Sequence, residues 1–360
     1  MNRGLLMKRM WRMLRWLIGV PLALVVLVAL GGAIWNAWAD ARDAVRLHPP
    51  GQLVDVGGLR LHLRCTGIDA SSPTVVLDTG WGMPALGWSL VQPEVAKRAR
   101  VCSYDRAGMG WSDAYVPSGP RTAGQIAEQL HSLLQAAGVA RPYVLVGHSN
   151  GGMMVRLFQS RFPDEVAGAV LVDSSTEDMD DLFAGKKQVR EPPDLRSAWR
   201  REPLLRVLMW TGVVRWQLRA RAPEHFVRAM GPAILEEGIY LINQPKWYPA
   251  AVAELDGMPA SYDELRATRG LGDLPLVVLT SGRFVPNGSY PPDEQLRMRR
   301  IWIEQIQPPL AKLSVRGRQL IVDSGHMIPI EAPGAVVQAI GEVLEMVKGD
   351  GARRLSTGSH

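Results

Sequence analysis

Ser149 lies in the stretch VLVGHSNGGMM, between Gly147 and Gly151. A β-branched run precedes this serine, and a helical pattern follows it. A strand followed by a sharp turn and a helix exposes a serine hydroxyl at the tip of the turn. Glycines are needed there because the strand and helix backbones approach each other closely. Such a hydroxyl attacks a carbonyl carbon once a base takes its proton. Because glycine is 36 of 360 residues, the G-x-S-x-G match needs support from the rest of the chain.

His326 is the candidate base. It stands in IVDSGHMIPIEAP, between the last strand-like run and the last amphipathic helix. An imidazole in this role needs a carboxylate that orients it and stabilises its cation. We interpret the remaining histidines as surface or core residues: His48, His62, His131, His148, His225 and His360.

The carboxylate is harder to assign. The loop after PLVVLTSG holds no acid before Asp293, whereas Asp173 comes directly after the strand-like run AGAVLV. One helix and one strand separate Asp173 from Ser149, which predicts that both lie at the same sheet edge. We therefore expect Asp173 to be the acid, with Asp293 second and Glu177 third. Asp173 could instead cap its own turn, a common role of aspartate.

The elements that must position these residues alternate between strands and helices. A hairpin is predicted in QLVDVGGLRLHLRCTG, around Gly57 and Gly58. Short, nearly continuous apolar runs then predict strands of a parallel sheet buried on both faces. These runs are PTVVLDTG, RVCSYDR, PYVLVGHS, AGAVLVDSS, PLVVLTSG and RQLIVDSG. Intervening helical patterns indicate right-handed βαβ units and a doubly wound α/β sheet.

An oxyanion site is predicted beside Ser149. The start of the following helix directs N–H groups and a partial positive charge at developing anions, and the N–H of Asn150 is one expected donor. The loop after PTVVLD supplies the second donor, from Gly80 or Trp81. Trp81, Trp88 and Trp111 near this mouth favour an apolar or aromatic substrate group, although such residues also build cores.

The N-terminal segment predicts a membrane anchor. Residues 16–38 are uncharged and apolar, long enough to cross the roughly 30 Å hydrocarbon core. Five basic residues before them predict a cytoplasmic N-terminus and an exported, periplasmic or extracellular catalytic part. A cleaved signal peptide, with Ala37-Trp38-Ala39 as its cleavage pattern and a secreted product, is the alternative.

The basic charge is concentrated in the N-terminal residues that flank this anchor. Residues 1–46 carry +5 of the formal net charge of +6, which argues against nucleic acid as a partner.

We predict a cytoplasmic segment at 1–15, an anchor at 16–38, core parts at 50–176 and 271–348, a helical cap at 177–270 and a flexible tail at 349–360. The oligomeric state stays open.

The cap is rich in tryptophan and arginine. The basic stretch of the cap, residues 196–221, could rest on an anionic leaflet and admit lipid-like esters. It could instead form an ordinary solvated helix face. The arginines of this stretch are Arg196, Arg200, Arg201, Arg206, Arg215, Arg219 and Arg221. The cap tryptophans are Trp199, Trp210, Trp216 and Trp247.

Cys65 and Cys102 are the only cysteines. Their spacing fits no metal motif. From the residues alone, a disulfide and two buried thiols are equally open.

With these residues in place, the chain resembles the α/β-hydrolase superfamily, in particular its serine hydrolases and esterases with a helical lid. The resemblance runs from about Pro50 to Lys348. It is carried by SYDRAGMGWSD, GHSNGG, LVDSS and SGHMIPIEAP and by the order serine, aspartate, histidine. It implies antiparallel first strands, a second strand beside the fourth, and a disulfide between Cys65 and Cys102. The usual His-Gly oxyanion motif is replaced by Asp78-Thr79-Gly80-Trp81-Gly82.

The resemblance implies a carboxylic-ester hydrolase that needs no metal or organic cofactor. A serine at position 149 argues against the dehalogenase and epoxide-hydrolase branches, which use a carboxylate nucleophile. The expected substrate is a small apolar or lipid-like ester. The same triad could instead cleave amide, thioester or carbon–carbon bonds, or the fold could bind without catalysis.

Overall fold

An eight-stranded, mostly parallel sheet forms the centre of the fold. The computed structural model describes residues 3–68, 73–115, 118–184, 202–283 and 291–357. The strand order is β1-β2-β4-β3-β5-β6-β7-β8; β1 and β2 run antiparallel to their neighbours, and the other pairs are parallel. The strands are β1 Gln52–Asp55, β2 Arg60–Thr66, β3 Thr74–Asp78, β4 Val101–Tyr104, β5 Tyr143–His148, β6 Val166–Val172, β7 Leu276–Ser281 and β8 Gly317–Val322.

The described residues also contain α-helices. They are α1 Arg3–Arg46, α2 Gln92–Val95, α3 Ala123–Ala136, α4 Gly151–Arg161, α5 Met179–Ala184, α6 Glu202–Trp210, α7 Val213–Ala220, α8 Glu224–Ile242, α9 Trp247–Asp256, α10 Met258–Arg266, α11 Pro292–Ile301, α12 Gln307–Ala311, α13 Ile328–Glu331 and α14 Pro333–Thr357. Short 3-10 turns lie at Ala85–Trp88 and Pro163–Glu165, and a π-helical turn at Trp302–Ile306 follows α11.

Successive residues of the central strands point into two separate cores. In β5, Leu145 packs with residues of α3, α4 and α10, whereas Val144 packs with Val343 of α14 on the opposite face. This alternation explains why the strands are apolar throughout rather than at every second residue. All six apolar runs and the Gly57-Gly58 hairpin form strands as predicted.

Cys65 and Cys102 lie directly opposite each other on the antiparallel strands β2 and β4. A disulfide joins them, with a Cα–Cα distance of 4.0 Å. The pairing of these strands, which the resemblance implied, brings the two cysteines together.

The contacts divide the chain into two compact units. One contains residues 1–48 and 201–222, and the other contains residues 49–200 and 223–360. The described residues between β6 and β7 form helices, of which α6 and α7 group with the N-terminal helix rather than with the core. Trp199, Arg196, Arg200 and Arg201 lie outside the described residues.

Two terminal segments are helical. Among the described residues, α1 is the one helix long and apolar enough to cross a membrane. At the other end, α14 continues to Thr357, although the sequence predicts a flexible tail from residue 349. An ion pair between Arg316 and Asp350, with N···O at 2.5 Å, holds the start of that segment.

Replacing both cysteines, Cys65→Ala with Cys102→Ala, should lower the free energy of unfolding by about 3–4 kcal/mol, because the disulfide spans 37 residues and restricts the unfolded chain. Urea denaturation of the full chain in detergent, followed by circular dichroism, measures this loss. A reducing agent should reproduce it in the wild type and leave the double variant unchanged. Equal stability of the variant and the oxidised wild type would contradict the prediction.

Candidate active site

The turn between β5 and α4 holds Ser149 in an unusual backbone conformation. Its φ is 53°, in the left-handed region, and its N–H donates to the Val172 carbonyl at 3.0 Å. A Cβ on Gly147 would lie 2.4 Å from the Gly151 carbonyl oxygen, so the turn closes only with glycine there. The tight turn predicted from the sequence is therefore present.

Asp173 occupies the equivalent position after the neighbouring strand β6. Its φ is 46°, and among the described residues Ser149 and Asp173 are the only two non-glycine residues with positive φ. The Asp173 N–H donates to the Leu279 carbonyl at 2.7 Å. Strained backbone of this kind clusters at functional sites, where surrounding contacts hold it.

His326 lies between these two residues. Its Nε2 is 3.1 Å from Ser149 Oγ, and its Nδ1 is 2.7 Å from Asp173 Oδ2. The carboxylate is buried, while half of the imidazole is exposed. Hydrogen bonds thus link the Ser149 hydroxyl to the His326 imidazole and the imidazole to the Asp173 carboxylate. This arrangement activates a serine for nucleophilic attack.

The other two candidate acids lie elsewhere. Asp293 is exposed in the first turn of α11. Glu177 forms a double hydrogen bond with Arg156, at 2.5 and 2.8 Å. Of the three carboxylates considered, the structure brings Asp173 to His326.

Four donors hold the Asp173 carboxylate. Besides His326, they are the Ser281 N–H and hydroxyl, both at 2.7 Å, and Trp302 Nε1 at 2.8 Å. Burial alone would raise the pKa of Asp173, but the hydrogen bonds from His326 and Ser281 outweigh it and hold this pKa below its ordinary value. The carboxylate therefore stays ionised and orients His326.

His148, which the sequence analysis interpreted as a surface or core residue, is a neighbour of His326. Its Nε2 donates to the His326 carbonyl oxygen at 2.9 Å, and its ring meets Trp88 edge-on. Burial, reinforced by the charge of His326, lowers the pKa of His148 to about 3. A neutral, buried His148 thus supports the backbone of the candidate base.

Of the predicted oxyanion residues outside the turn, Gly80 lies beside Ser149. A Cβ on Gly80 would be 3.1 Å from the Ser149 Cβ, so the Gly80 backbone lies against the serine. The next residue, Trp81, is fixed by its indole N–H, which donates to the Ala251 carbonyl at 2.7 Å. Asn150 immediately precedes α4, and its side-chain oxygen accepts from the Ser175 hydroxyl at 2.8 Å.

A buried arginine fixes the loop that carries Gly80. Arg106 donates to Asp78 Oδ1 at 2.6 Å and to the Thr79 carbonyl oxygen at 2.5 Å, on either side of the β3 end. It also pairs with Glu254 of α9 at 2.8 Å. Burial would lower the pKa of Arg106, but the Asp78 and Glu254 carboxylates raise it above its usual value. The sequence analysis gave Arg106 no role.

Replacing Arg106 should destabilise the core strongly. Arg106→Met leaves the Asp78 carboxylate buried without its cation, which predicts a loss of about 3–5 kcal/mol in the free energy of unfolding. Arg60→Met is the matched control, because Arg60 pairs with Asp113 at the surface and its loss should cost far less. Chemical denaturation of both variants measures the difference, and equal losses would contradict the importance of the buried pair.

His148 should make the protein sensitive to acid. Its pKa of about 3 lies below that of an exposed imidazole, near 6.5, so unfolding takes up one proton between these pH values. Stability should fall as the pH drops through this window, by about 1.4 kcal/mol per pH unit from this group. His148→Gln should flatten the slope by that amount in denaturation curves at pH 4 to 7. An unchanged slope would show that His148 does not titrate in this way.

Similarity to known proteins agrees with the observed fold. A sequence model of the alpha/beta hydrolase fold matches residues 73–232. An uncharacterised protein of Schizosaccharomyces pombe is 29% identical over 300 residues, which cover 71% of this chain and 51% of that protein. The chain spans about a fifth to a half of the length of the first curated relatives that it matches.

Solved structures share the fold. A thermophilic esterase from Thermogutta terrifontis has 23% sequence identity and a TM-score of 0.55, covering 82% of this chain and 97% of its own. The enol-lactonase from Burkholderia xenovorans has 19% identity and a TM-score of 0.55, covering 82% of this chain and 100% of its own. Together with the strand order, these likenesses show that the chain has the α/β-hydrolase fold.

Proposed function

We propose that the protein is a serine hydrolase of carboxylic esters. The observation that carries this proposal is the continuous hydrogen-bonded chain from Ser149 Oγ through His326 to the Asp173 carboxylate. A neutral imidazole in contact with a hydroxyl removes its proton as the hydroxyl attacks, and a buried carboxylate stabilises the cation that results.

The reaction has two halves. Ser149 Oγ bonds to the ester carbonyl carbon while its proton passes to His326 Nε2. The carbon–oxygen bond to the alcohol then breaks, and His326 returns the proton to the departing alcohol, which leaves an acyl group on Ser149. Water attacks this acyl group and gives one proton to His326; the serine leaves with that proton, and the carboxylic acid is released.

Backbone N–H groups would stabilise the oxyanion of each tetrahedral intermediate. Asn150 at the start of α4 is one donor in this proposal, supported by the partial positive charge of the helix end. Trp81 or Gly80 is the other, because that backbone lies against Ser149. Arg106 fixes the same loop through the Thr79 carbonyl and acts as a positioning residue.

The substrate proposed here is apolar beside the scissile bond. The rings of Trp81 and Trp247 lie 6.4 Å apart, beside the Gly80 loop, and offer an apolar wall to an acyl or alcohol group. Trp88, expected near the mouth, is instead buried in the core beneath His148. Trp111 donates its indole N–H to Glu237 of α8 at 3.2 Å.

Membrane anchoring is the second part of the proposal. Helix α1 carries the uncharged apolar run of residues 16–38, with basic residues before it. This pattern supports a single-pass anchor with a cytoplasmic N-terminus and an exported catalytic part. Detection of the full-length chain in the membrane fraction would support the anchor, and a chain shortened after Ala39 in the soluble fraction would favour the cleaved signal peptide.

A fluorophosphonate probe tests the nucleophile. Wild-type protein should be labelled, and Ser149→Ala should lose both labelling and turnover of p-nitrophenyl esters. Asp173→Asn should lower ester turnover by about 10⁴-fold, because the wrong histidine tautomer is then favoured. Asp293→Asn is the matched control and should retain activity, since Asp293 is exposed on α11.

Each alternative gives a different result. Labelling without ester turnover, together with cleavage of anilide or thioester substrates, would move the proposal to another bond. Absence of labelling in folded wild-type protein would favour a binding protein on the same fold. Loss of activity in Asp293→Asn but not in Asp173→Asn would overturn the assignment of the acid.

A further inference from the structure

One face of α1 is built to hold another helix. Buried small and polar side chains recur along this face at helical spacing, and they are Ala33, Asn36, Ala39 and Asp43. The apolar residues around them on α1 are exposed. A Cβ on Gly32 would lie 2.4 Å from the Thr211 carbonyl oxygen, and a Cβ on Gly212, whose φ is 76°, would lie 3.0 Å from the Trp35 ring. The turn between α6 and α7 therefore packs directly on the α1 backbone.

A buried arginine fixes this contact. Arg215 of α7 is fully buried and donates to Asp43 at 2.7 Å, to Asn36 Oδ1 at 3.0 Å and to Asp40. Asn36 in turn donates to the Met209 carbonyl at 3.3 Å. Arg215 was predicted among the arginines of a basic surface, but its side chain neutralises acids at the end of α1 and cannot contact lipid headgroups.

The contact lies at the outer end of the apolar run. About 20 helical residues cross the hydrocarbon core, so a span that starts at Leu17, after Arg15, reaches Asn36. Gly32 and Trp35, which touch the α6–α7 turn, fall within the last turns of that span. If residues 17–36 of α1 cross the bilayer, the hydrocarbon core therefore extends to the level of the α6–α7 turn.

The α6–α7 pair, Glu202–Ala220, adds its own apolar surface at this level. Four large side chains are each more than half exposed: Leu204, Val207, Trp210 and Trp216. Val207 and Trp216 also line an apolar groove of about 670 Å³ whose opposite wall is Leu24 and Val28 of α1. The apolar surface of the pair is thus continuous with that of the membrane helix.

We propose that the α6–α7 pair is a second membrane element, docked on α1 and inserted into the outer leaflet. This inference rests on the proposed anchoring by α1. An interfacial helix pair inserts tryptophan and aliphatic side chains into the leaflet and keeps its basic side chains at the level of the anionic headgroups. In this proposal the exposed Arg206, Arg219 and Arg221 lie at that level. Arg215 sets its position, because the pair cannot leave α1 without exposing or separating the buried Arg215 and Asp43.

The depth of single labelled positions tests this proposal. The two native cysteines are joined in a disulfide, so an added cysteine is the reactive thiol for the environment-sensitive dye NBD. Val207→Cys and Trp216→Cys report on the pair, Leu27→Cys on the middle of α1 and the exposed Val315→Cys on the core. Each full-length variant, checked by circular dichroism, is reconstituted into phosphatidylcholine–phosphatidylglycerol vesicles with or without spin-labelled lipid.

Spin-labelled lipid should quench NBD at positions 207 and 216 to an extent comparable with position 27, and should leave position 315 unquenched. Quenching at 27 but not at 207 and 216 would overturn the inference and leave the anchor intact. Absence of quenching at 27 would refute the anchor itself. Blue-shifted NBD emission at 207 and 216 without quenching would show that protein, such as a second copy of this chain, covers the surface, and would also contradict the proposal.

Discussion

The turn at Ser149 is the constraint on which the site depends. A non-glycine residue with φ near 53° costs about 1–2 kcal/mol, and the surrounding contacts must hold it there. Ser149 donates to Val172 and accepts from the Ser175 N–H, both at 3.0 Å, so the end of β6 clamps the turn. The same segment carries Asp173, also at positive φ. Backbone hydrogen bonding between two adjacent strand ends therefore sets the serine and the carboxylate in register before any side chain is considered.

Much of this arrangement was predictable from local patterns. Apolar runs of strand length, separated by amphipathic helices, predict a parallel sheet, and the carboxyl ends of parallel strands must share one edge. Ser149, Asp173 and His326 each follow such a run, which is sufficient to predict that they meet. Asp173 could be preferred to Asp293 on position alone, because it stands directly at a strand end.

The supporting contacts could not be predicted, because they join residues far apart in sequence. Trp302 reaches Asp173 from the π-helical turn, 129 residues away, and Arg106 links the β3 end to Glu254 across 148 residues. His148 was interpreted as a surface or core residue; it is buried, and its Nε2–H donates to the backbone carbonyl of His326. The partners of Arg215 were not predictable from the sequence either. Its charge suggested a solvent-exposed or membrane-facing position, but the side chain is buried in ion pairs with Asp40 and Asp43 of α1.

The proposed mechanism requires that Ser149 carries the acyl group during turnover. Rapid acid quenching of the protein with p-nitrophenyl acetate, followed by peptide mapping with mass spectrometry, tests it most directly. We expect a burst of p-nitrophenol equal to the enzyme concentration and a mass increase of one acetyl group on the peptide that contains Ser149. An acetyl group on another residue, or ester turnover with no burst and no adduct when deacylation is slowed at low pH, would contradict it.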